Sequence, residues 1–160
     1  MTVYAKDTTV PVERSKSEIE RTLTRYGADQ FASGWTHGVA VIAFRAKDRH
    51  VKFELPLPAM SDDAFSKTPK GRLRRSADLR QAAYEQECRS RWRALALAIK
   101  AKLEAVEAGI TTFEQEFLAH IVIPGAKGNT VGQWLGPQLD QAYTSGKMPK
   151  SLPMFAESER

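Results

Sequence analysis

The sequence predicts an α+β fold: a three-stranded antiparallel β-meander packed against a long helix, with two further C-terminal helices. Three strand-like segments, residues 30–36, 39–45 and 50–55, follow one another with only short turns between them. Residues 77–108 then carry one sustained apolar stripe at helical spacing. Two capping-box spacings after residue 110 indicate the beginnings of two more helices.

The N-terminal region is predicted to form a flexible arm, residues 1–12, followed by a short helix over residues 13–26. Ile19, Leu23 and Tyr26 recur at helical spacing, so this helix has one apolar face. The helix opens a single domain that we expect to extend to residue 146.

Short polar turns join the three predicted strands. His37-Gly38 lies between the first two, and Lys47-Asp48-Arg49 lies between the second and the third. In the third strand Val51, Phe53 and Leu55 alternate with polar residues, which is typical of a strand buried on one face.

A basic loop is predicted over residues 59–76, because this stretch has no clear period. Loops of this length in compact domains are usually functional or disordered. The run from Lys67 to Arg75 holds five cations and no acid, and these cations are Lys67, Lys70, Arg72, Arg74 and Arg75.

The C-terminal half is predicted to be helical. The stripe of the long helix consists of Tyr84, Cys88, Trp92, Leu95, Ile99, Leu103 and Val106. Thr111 with Glu114 indicates the start of the next helix, and Thr130 with Gln133 the start of the last. The last helix is expected over residues 131–144 with a break at Gly136-Pro137 and a tail over 147–160. Its expected core side consists of Val131, Trp134, Leu135, Leu139 and Tyr143.

Composition limits the possible functions. With 24 basic and 19 acidic residues the chain has a formal net charge of +5, which favours a polyanionic partner. One cysteine, Cys88, excludes an internal disulfide framework and a multi-cysteine zinc site. The sequence has no membrane-spanning run and no secretory signal, so we expect a cytoplasmic location.

Nucleic-acid binding is the function that the charge pattern favours, because phosphate contacts need several accessible cations. Besides the five loop residues, the expected binding path includes the hairpin cations Arg45, Lys47, Arg49 and Lys52 and the helix cations Arg89 and Arg93. Trp35 is the candidate for stacking on a base, although strand aromatics are more often core residues. DNA and RNA, single-stranded or duplex, remain open.

Residues suited to catalysis are sparse. Glu116 and His120 are four residues apart on a predicted helix, and Asp62-Asp63 is an acidic pair in the loop. These residues would serve a metal-dependent nuclease, but their spacing matches no known metal motif. We therefore predict a non-enzymatic protein with no catalytic residues, no metal ligands and no cofactor.

Two stretches carry a resemblance to known proteins: VERSKSEIERTLTRYGADQF with VAVIAFR and VKFELPLP, and RSRWRALALAIKAKLEAVEAGITTFEQEFLAHIVIP with TVGQWLGPQLDQAY. They resemble a family of small uncharacterised proteins from bacteriophages and prophages, which implies action inside a bacterial host. The order of elements is also similar to that of phage single-strand annealing proteins of the Redβ and RecT kind, in which a β-meander packs on a long helix.

The resulting hypothesis is a phage-encoded protein of DNA metabolism that binds single-stranded DNA, and that could anneal strands in recombination or replication. We expect a homo-oligomer in the bacterial cytoplasm with no membrane partner. The alternative is a protein-interaction module that inhibits or redirects a host protein, and the third reading is the nuclease.

Overall fold

The computed structural model describes residues 4–68, 70–74 and 76–147. It confirms the predicted α+β class, with a three-stranded antiparallel sheet, a long helix and further C-terminal helices. Arg75 and the predicted tail beyond Lys147 lie outside the described residues. The elements are α1 Val12–Arg25, β1 Gln30–Thr36, β2 Val39–Ala46, β3 Arg49–Pro56, α2 Asp63–Ser66, α3 Ala77–Glu107, α4 Phe113–Phe117, a 3-10 turn Leu118–His120, and α5 Val131–Ser145.

The sheet has the strand order β1-β2-β3, as the meander prediction required. Both connections are two-residue turns whose residues have positive φ, +48° and +76° at His37-Gly38 and +51° and +58° at Lys47-Asp48. Such turns match the right-handed twist of the flanking strands and set the register. Thr36 therefore pairs with Val39, and Ala46 pairs with Arg49.

The core lies between one face of the sheet and the helices α1, α3 and α4. Strand β2 alternates strictly, with Ala40, Ile42, Phe44 and Ala46 buried on the helix side. The ring of Phe117 meets those of Phe44 and Phe53 edge-on, at centroid distances of 6.0 and 6.2 Å. The remaining large core side chains are Ile19, Leu23, Val51, Trp92, Ile99, Leu103 and Phe113.

The N-terminal segment, predicted to be a flexible arm, is held against α3 in its described part. Ala5 is buried, and the Gln86 side-chain amide donates to the carbonyls of Lys6 and Thr8, each at 2.9 Å. These contacts span about eighty residues of sequence, which is why local patterns did not indicate them.

The long loop is more ordered than its lack of period suggested. Residues Asp63–Ser66 form the short helix α2, and Lys67 pairs with Leu73 in an isolated β-bridge. Phe65 of α2 is buried, and this single apolar anchor is too sparse to produce a periodic signal.

The predicted start of the helix after Gly109 is wrong by one residue. The N-cap is Thr112, whose hydroxyl accepts from the Gln115 backbone, and the Gln115 side chain completes the capping box. Thr111 and Glu114 have the same spacing, so the motif alone could not distinguish the two registers. The helix ends at Phe117, where it gives way to the 3-10 turn Leu118–His120.

The last helix differs from the prediction in two ways. The capping box at Thr130 and Gln133 is confirmed, but α5 continues through Pro137 without the expected break. Pro137 has no N–H to donate to the Gln133 carbonyl four residues earlier, so α5 continues with one backbone hydrogen bond fewer. The expected core side is also wrong, because Trp134, Leu139 and Tyr143 are exposed and α5 packs mainly on the 3-10 turn.

None of the helices in the described ranges is both long enough and apolar enough to cross a membrane.

Candidate nucleic-acid interface

Residues 66–68 and 70–74 form a compact turn, which we call the basic turn. The Thr68 backbone N–H donates to the Arg72 carbonyl at 2.7 Å, and the Gly71 N–H donates to the Thr68 carbonyl at 2.8 Å. Gly71 has a φ of +76°, a conformation that favours glycine. The closing bridge between Lys67 and Leu73 makes the turn a small hairpin that projects before α3.

Arg74 stabilises the basic turn from inside. Its Nη1 donates to the carbonyl of Ala64 at 2.8 Å and also to the carbonyl of Lys67. Its backbone N–H donates to the Ser66 carbonyl at 2.7 Å. Arg74 therefore contributes to the order of the turn, and its guanidinium is less free to bind a phosphate than sequence reasoning assumed.

The basic turn is fixed to the beginning of α3. The ring of Phe65 meets Tyr84 edge-on with a centroid distance of 5.7 Å. The Ser76 side chain caps α3 by accepting from the Asp78 N–H at 3.2 Å. The neighbouring Cys88 thiol, one turn further along α3, raises the pKa of the Tyr84 hydroxyl above its usual value.

The remaining cations of the turn point to solvent. Lys67, Lys70 and Arg72 are exposed, and none of the ion pairs among the described residues includes them. Arg80, one turn into α3, is exposed in the same way. Exposed cations without acidic partners keep their full charge available for an anionic ligand.

The cations of the β2–β3 hairpin divide into two groups. Arg45 forms a bidentate ion pair with Asp29, with Nε 2.8 Å from Oδ1, and this bond holds the pKa of Asp29 below its usual value. Lys52 pairs with Glu54 at 2.8 Å, which lowers the pKa of Glu54. Lys47 and Arg49, at the tip of the hairpin, are exposed.

The two helix cations predicted to bind phosphate, Arg89 and Arg93, instead contact side chains of the protein itself. Arg93 forms an ion pair with Glu18, which joins α3 to α1. Arg89 donates to the side-chain carbonyl of Gln86 from Nε at 3.2 Å and from Nη2 at 2.6 Å. Both arginines are half-buried, so they are less accessible to a ligand than the cations of the basic turn.

The structure does not bring the basic turn and the hairpin tip together. The basic turn lies beside Tyr84, whereas the hairpin end of the sheet packs near Phe117 and the segment of α3 around Lys102. The helix between Tyr84 and Lys102 is about 27 Å long at 1.5 Å per residue. The predicted binding path is therefore divided between two ends of the molecule.

Trp35 is 79% exposed, so it is not a core residue. Its position on the outer strand β1 explains this, because no further strand covers its side. Beside it lies a hollow of about 310 Å³ between β1, α1 and α3. The walls of the hollow include Val12, Lys16, Leu57, Cys88 and Trp92, with the Lys16 ammonium 5.0 Å from the Trp92 ring centroid.

The residues considered for metal-dependent cleavage have other partners. Glu116 forms an ion pair with Lys102 at 3.0 Å, and His120 stacks on Phe53 with a centroid distance of 3.9 Å. Across the part of the chain that the structure describes, no three histidine, cysteine or acidic side chains are grouped as a metal site.

Sequence reasoning missed which cations are neutralised. The acids that pair with Arg45 and Arg93 are 16 and 75 residues away in the chain. The pair of Arg45 with Asp29 could have been found from the hairpin register, because Gln30, next to Asp29, lies opposite Arg45. No local signal indicates the pair of Arg93 with Glu18.

Fold and site together define an α+β domain with an ordered, exposed cationic turn at the beginning of its longest helix. No family model, curated protein or solved structure matches the chain. The assignment of a function therefore depends on the chemistry of the site.

Proposed function

We propose that this protein binds nucleic acid without catalysing a reaction, and that Lys67, Lys70 and Arg72 of the basic turn contact the phosphates. The observation that carries the proposal is the presence of three exposed cations, without acidic partners, on one ordered turn. An ordered turn loses less conformational entropy on binding than a disordered loop would.

Single-stranded DNA is the ligand that we propose first. Leu73 and Leu79 are 64% and 58% exposed and lie among the cations of this region. Apolar side chains beside phosphate contacts suit a strand whose bases are unstacked, whereas a duplex hides its base faces. The setting that we propose is DNA metabolism in a bacterial cytoplasm.

The experiment is a fluorescence-anisotropy titration of a labelled single-stranded oligonucleotide, and of its duplex, at two salt concentrations. The loop variant K67Q/K70Q/R72Q should bind with an affinity that is lower by about tenfold or more at low salt. Its salt slope, the change of log K with log salt concentration, should fall by about 0.7 for each phosphate that the variant no longer neutralises.

A matched control removes the same charge at other sites. Lys47, Arg49 and Lys127 are exposed residues outside the basic turn, so K47Q/R49Q/K127Q has the net charge of the loop variant. We expect this control to bind nearly as well as wild type. An equal loss of affinity in both variants would show that only overall charge matters, and absence of wild-type binding at low salt would refute the proposal.

A protein partner is the second candidate, and the exposed apolar side chains of α5 favour it. Trp134, Leu139 and Tyr143 are 37%, 43% and 89% exposed. This reading predicts no nucleic-acid binding at low salt together with a host protein that stays bound after nuclease treatment.

A further inference from the structure

Strand β1 has a free outer edge. Thr36 and Val39 flank a two-residue turn, so they form a hydrogen-bonded pair, and such pairs then recur at every second residue. Phe31, Ser33 and Trp35 lie at the alternate positions, where backbone N–H and C=O groups point away from β2. No backbone hydrogen bond at that edge involves these three residues within the described chain.

The opposite edge of the sheet is covered. Ile121 forms a β-bridge with Val51, and the Val122 N–H donates to the His50 carbonyl at 2.8 Å. Sheets usually protect an open edge with charged residues or proline, yet β1, with the sequence QFASGWT, contains neither. The edge of β1 is therefore ready to accept another strand.

We propose that two copies of this chain pair through β1, antiparallel about a two-fold axis at Ser33, and form a continuous six-stranded sheet. In this register Ser33 faces Ser33 of the second copy, and Phe31 faces its Trp35. Phe31, Ser33 and Trp35 each have their backbone N–H and C=O on the outer edge. The pairing therefore gives each of these groups a hydrogen-bond partner in both chains.

The side chains of β1 are self-complementary in this register. Phe31 and Trp35 lie two residues on either side of Ser33 and on the same face of the sheet. Each half-buried Phe31 would then adjoin a Trp35 that is 79% exposed in the single chain. Aromatic pairs directly across antiparallel strands are stabilising, so the dimer provides the cover that Trp35 lacks.

Helix α1 lies beside the proposed contact. Val12 and Lys16 line the hollow beside Trp35, and α1 leads through residues 26–29 into β1, so it runs antiparallel to that strand. Its first turn carries Glu13 and Arg14, and Glu13 forms an ion pair with Lys16 of the same helix. A two-fold axis at Ser33 places the two α1 helices antiparallel on the same face of the six-stranded sheet.

This pairing gives Trp35 a different role from the base stacking predicted from sequence, and it leaves the basic turn free. A dimer would present two basic turns, one from each copy, which suits a protein that holds two strands. The pairing itself needs no nucleic acid, so it can be tested separately from the proposed function.

The test is cysteine cross-linking in the full chain with Cys88→Ser as background. In the proposed register, Ser33 residues of the two copies face each other at about 5.5 Å between Cα atoms, within the range of a disulfide. Thr36 residues would be about 20 Å apart, six strand positions out of register. Mild oxidation should therefore cross-link S33C as a dimer and leave the control T36C largely monomeric.

A second variant tests the backbone pairing. The Ser33 N–H points to solvent in the single chain, so Ser33→Pro removes a hydrogen bond only from the dimer. Light scattering should show a dimer for wild type and a monomer of unchanged circular dichroism for Ser33→Pro. Wild type that stays monomeric over the whole concentration series would overturn the proposal, as would equal cross-linking of S33C and T36C. If the Ser33→Pro variant does not fold, the comparison of S33C with T36C tests the proposal by itself.

Discussion

Ser15 is fully buried in α1, and its hydroxyl has no hydrogen-bond partner. A buried hydroxyl without a partner costs about 1–3 kcal/mol relative to solvent. Its neighbours on the same face, Ile19 and Leu23, are core residues, so the position itself favours an apolar side chain.

Ser15→Ala should therefore stabilise the protein. The expected gain in the free energy of unfolding is about 1–2 kcal/mol, from removal of the unpaired hydroxyl and from the higher helix propensity of alanine. Thermal unfolding should show a midpoint about 2–8 °C higher. Ser17→Ala, at an exposed position of the same helix, is the control and should give only the smaller propensity gain. A lower midpoint for Ser15→Ala would contradict the prediction.

His120 is a partly buried titratable group at the junction of β3 and the 3-10 turn. Burial lowers the pKa of its imidazole below 6.5, and the nearby Lys102 ammonium lowers it further, while a backbone hydrogen bond with Lys52 acts in the opposite sense. The ring also stacks on Phe53. The fold therefore favours the neutral imidazole over the imidazolium.

The pH dependence of stability follows from this shift. Because the pKa is lower in the folded state, the unfolded chain binds more protons as the pH falls through 6.5. The free energy of unfolding should therefore decrease from neutral pH towards the lowered pKa of His120. His120→Phe keeps an aromatic ring on Phe53 and removes the titration, so denaturant unfolding should depend less on pH in this window. A variant with the slope of wild type would exclude His120 as its source.

The contact of α5 with the body of the protein depends on one glycine. A Cβ atom at Gly132 would lie 2.8 Å from the carbonyl oxygen and 3.2 Å from the Cβ of Ala119, in the 3-10 turn. At Gly136, one turn later, a Cβ would meet no atom within 4 Å apart from those of its chain neighbours Leu135 and Pro137. Helix α5 thus approaches the turn closely at its first residues only.

The two glycines should respond differently to alanine. Gly132→Ala should lower the free energy of unfolding, because overpacking against backbone costs about 1–3 kcal/mol and exceeds the gain in helix propensity. Gly136→Ala should change it by less, because the gain in helix propensity is opposed by contact between the new Cβ atom and the Cδ of the following Pro137. Chemical denaturation of both variants measures this difference. Equal stabilisation by both substitutions would mean that α5 moves freely relative to the turn.

The bounds of the longest elements followed from local patterns, while the faces that they bury did not. The stripe on α3 predicted its length almost to the residue, and the turns predicted at His37-Gly38 and Lys47-Asp48-Arg49 indicated the meander. The apolar residues of α5 show the same periodicity, yet Leu139 and Tyr143 are exposed. Periodicity identifies an amphipathic helix but does not tell how much of the protein is available to cover it.

At the scale of the whole molecule, the positive charge lies in separate places. Lys67, Lys70 and Arg72 form one exposed group, and Lys47 and Arg49 form another at the far end of α3. Ion pairs within the fold neutralise Arg45, Lys52 and Arg93. The positions of the unpaired cations therefore indicate a binding surface better than the net charge of +5 does.

The amino-acid sequence by itself determined the order and type of the main elements, because hydrophobic period, turn residues and helix caps act over a few neighbouring positions. Tertiary structure alone decided which charges remain free, because Glu18 and Arg93 are 75 residues apart and only folding brings them together. It also decided that Trp35 is exposed, because the burial of a strand residue depends on whether another strand lies beside it. Both proposed binding surfaces, the basic turn and the edge of β1, could be identified only from the tertiary structure.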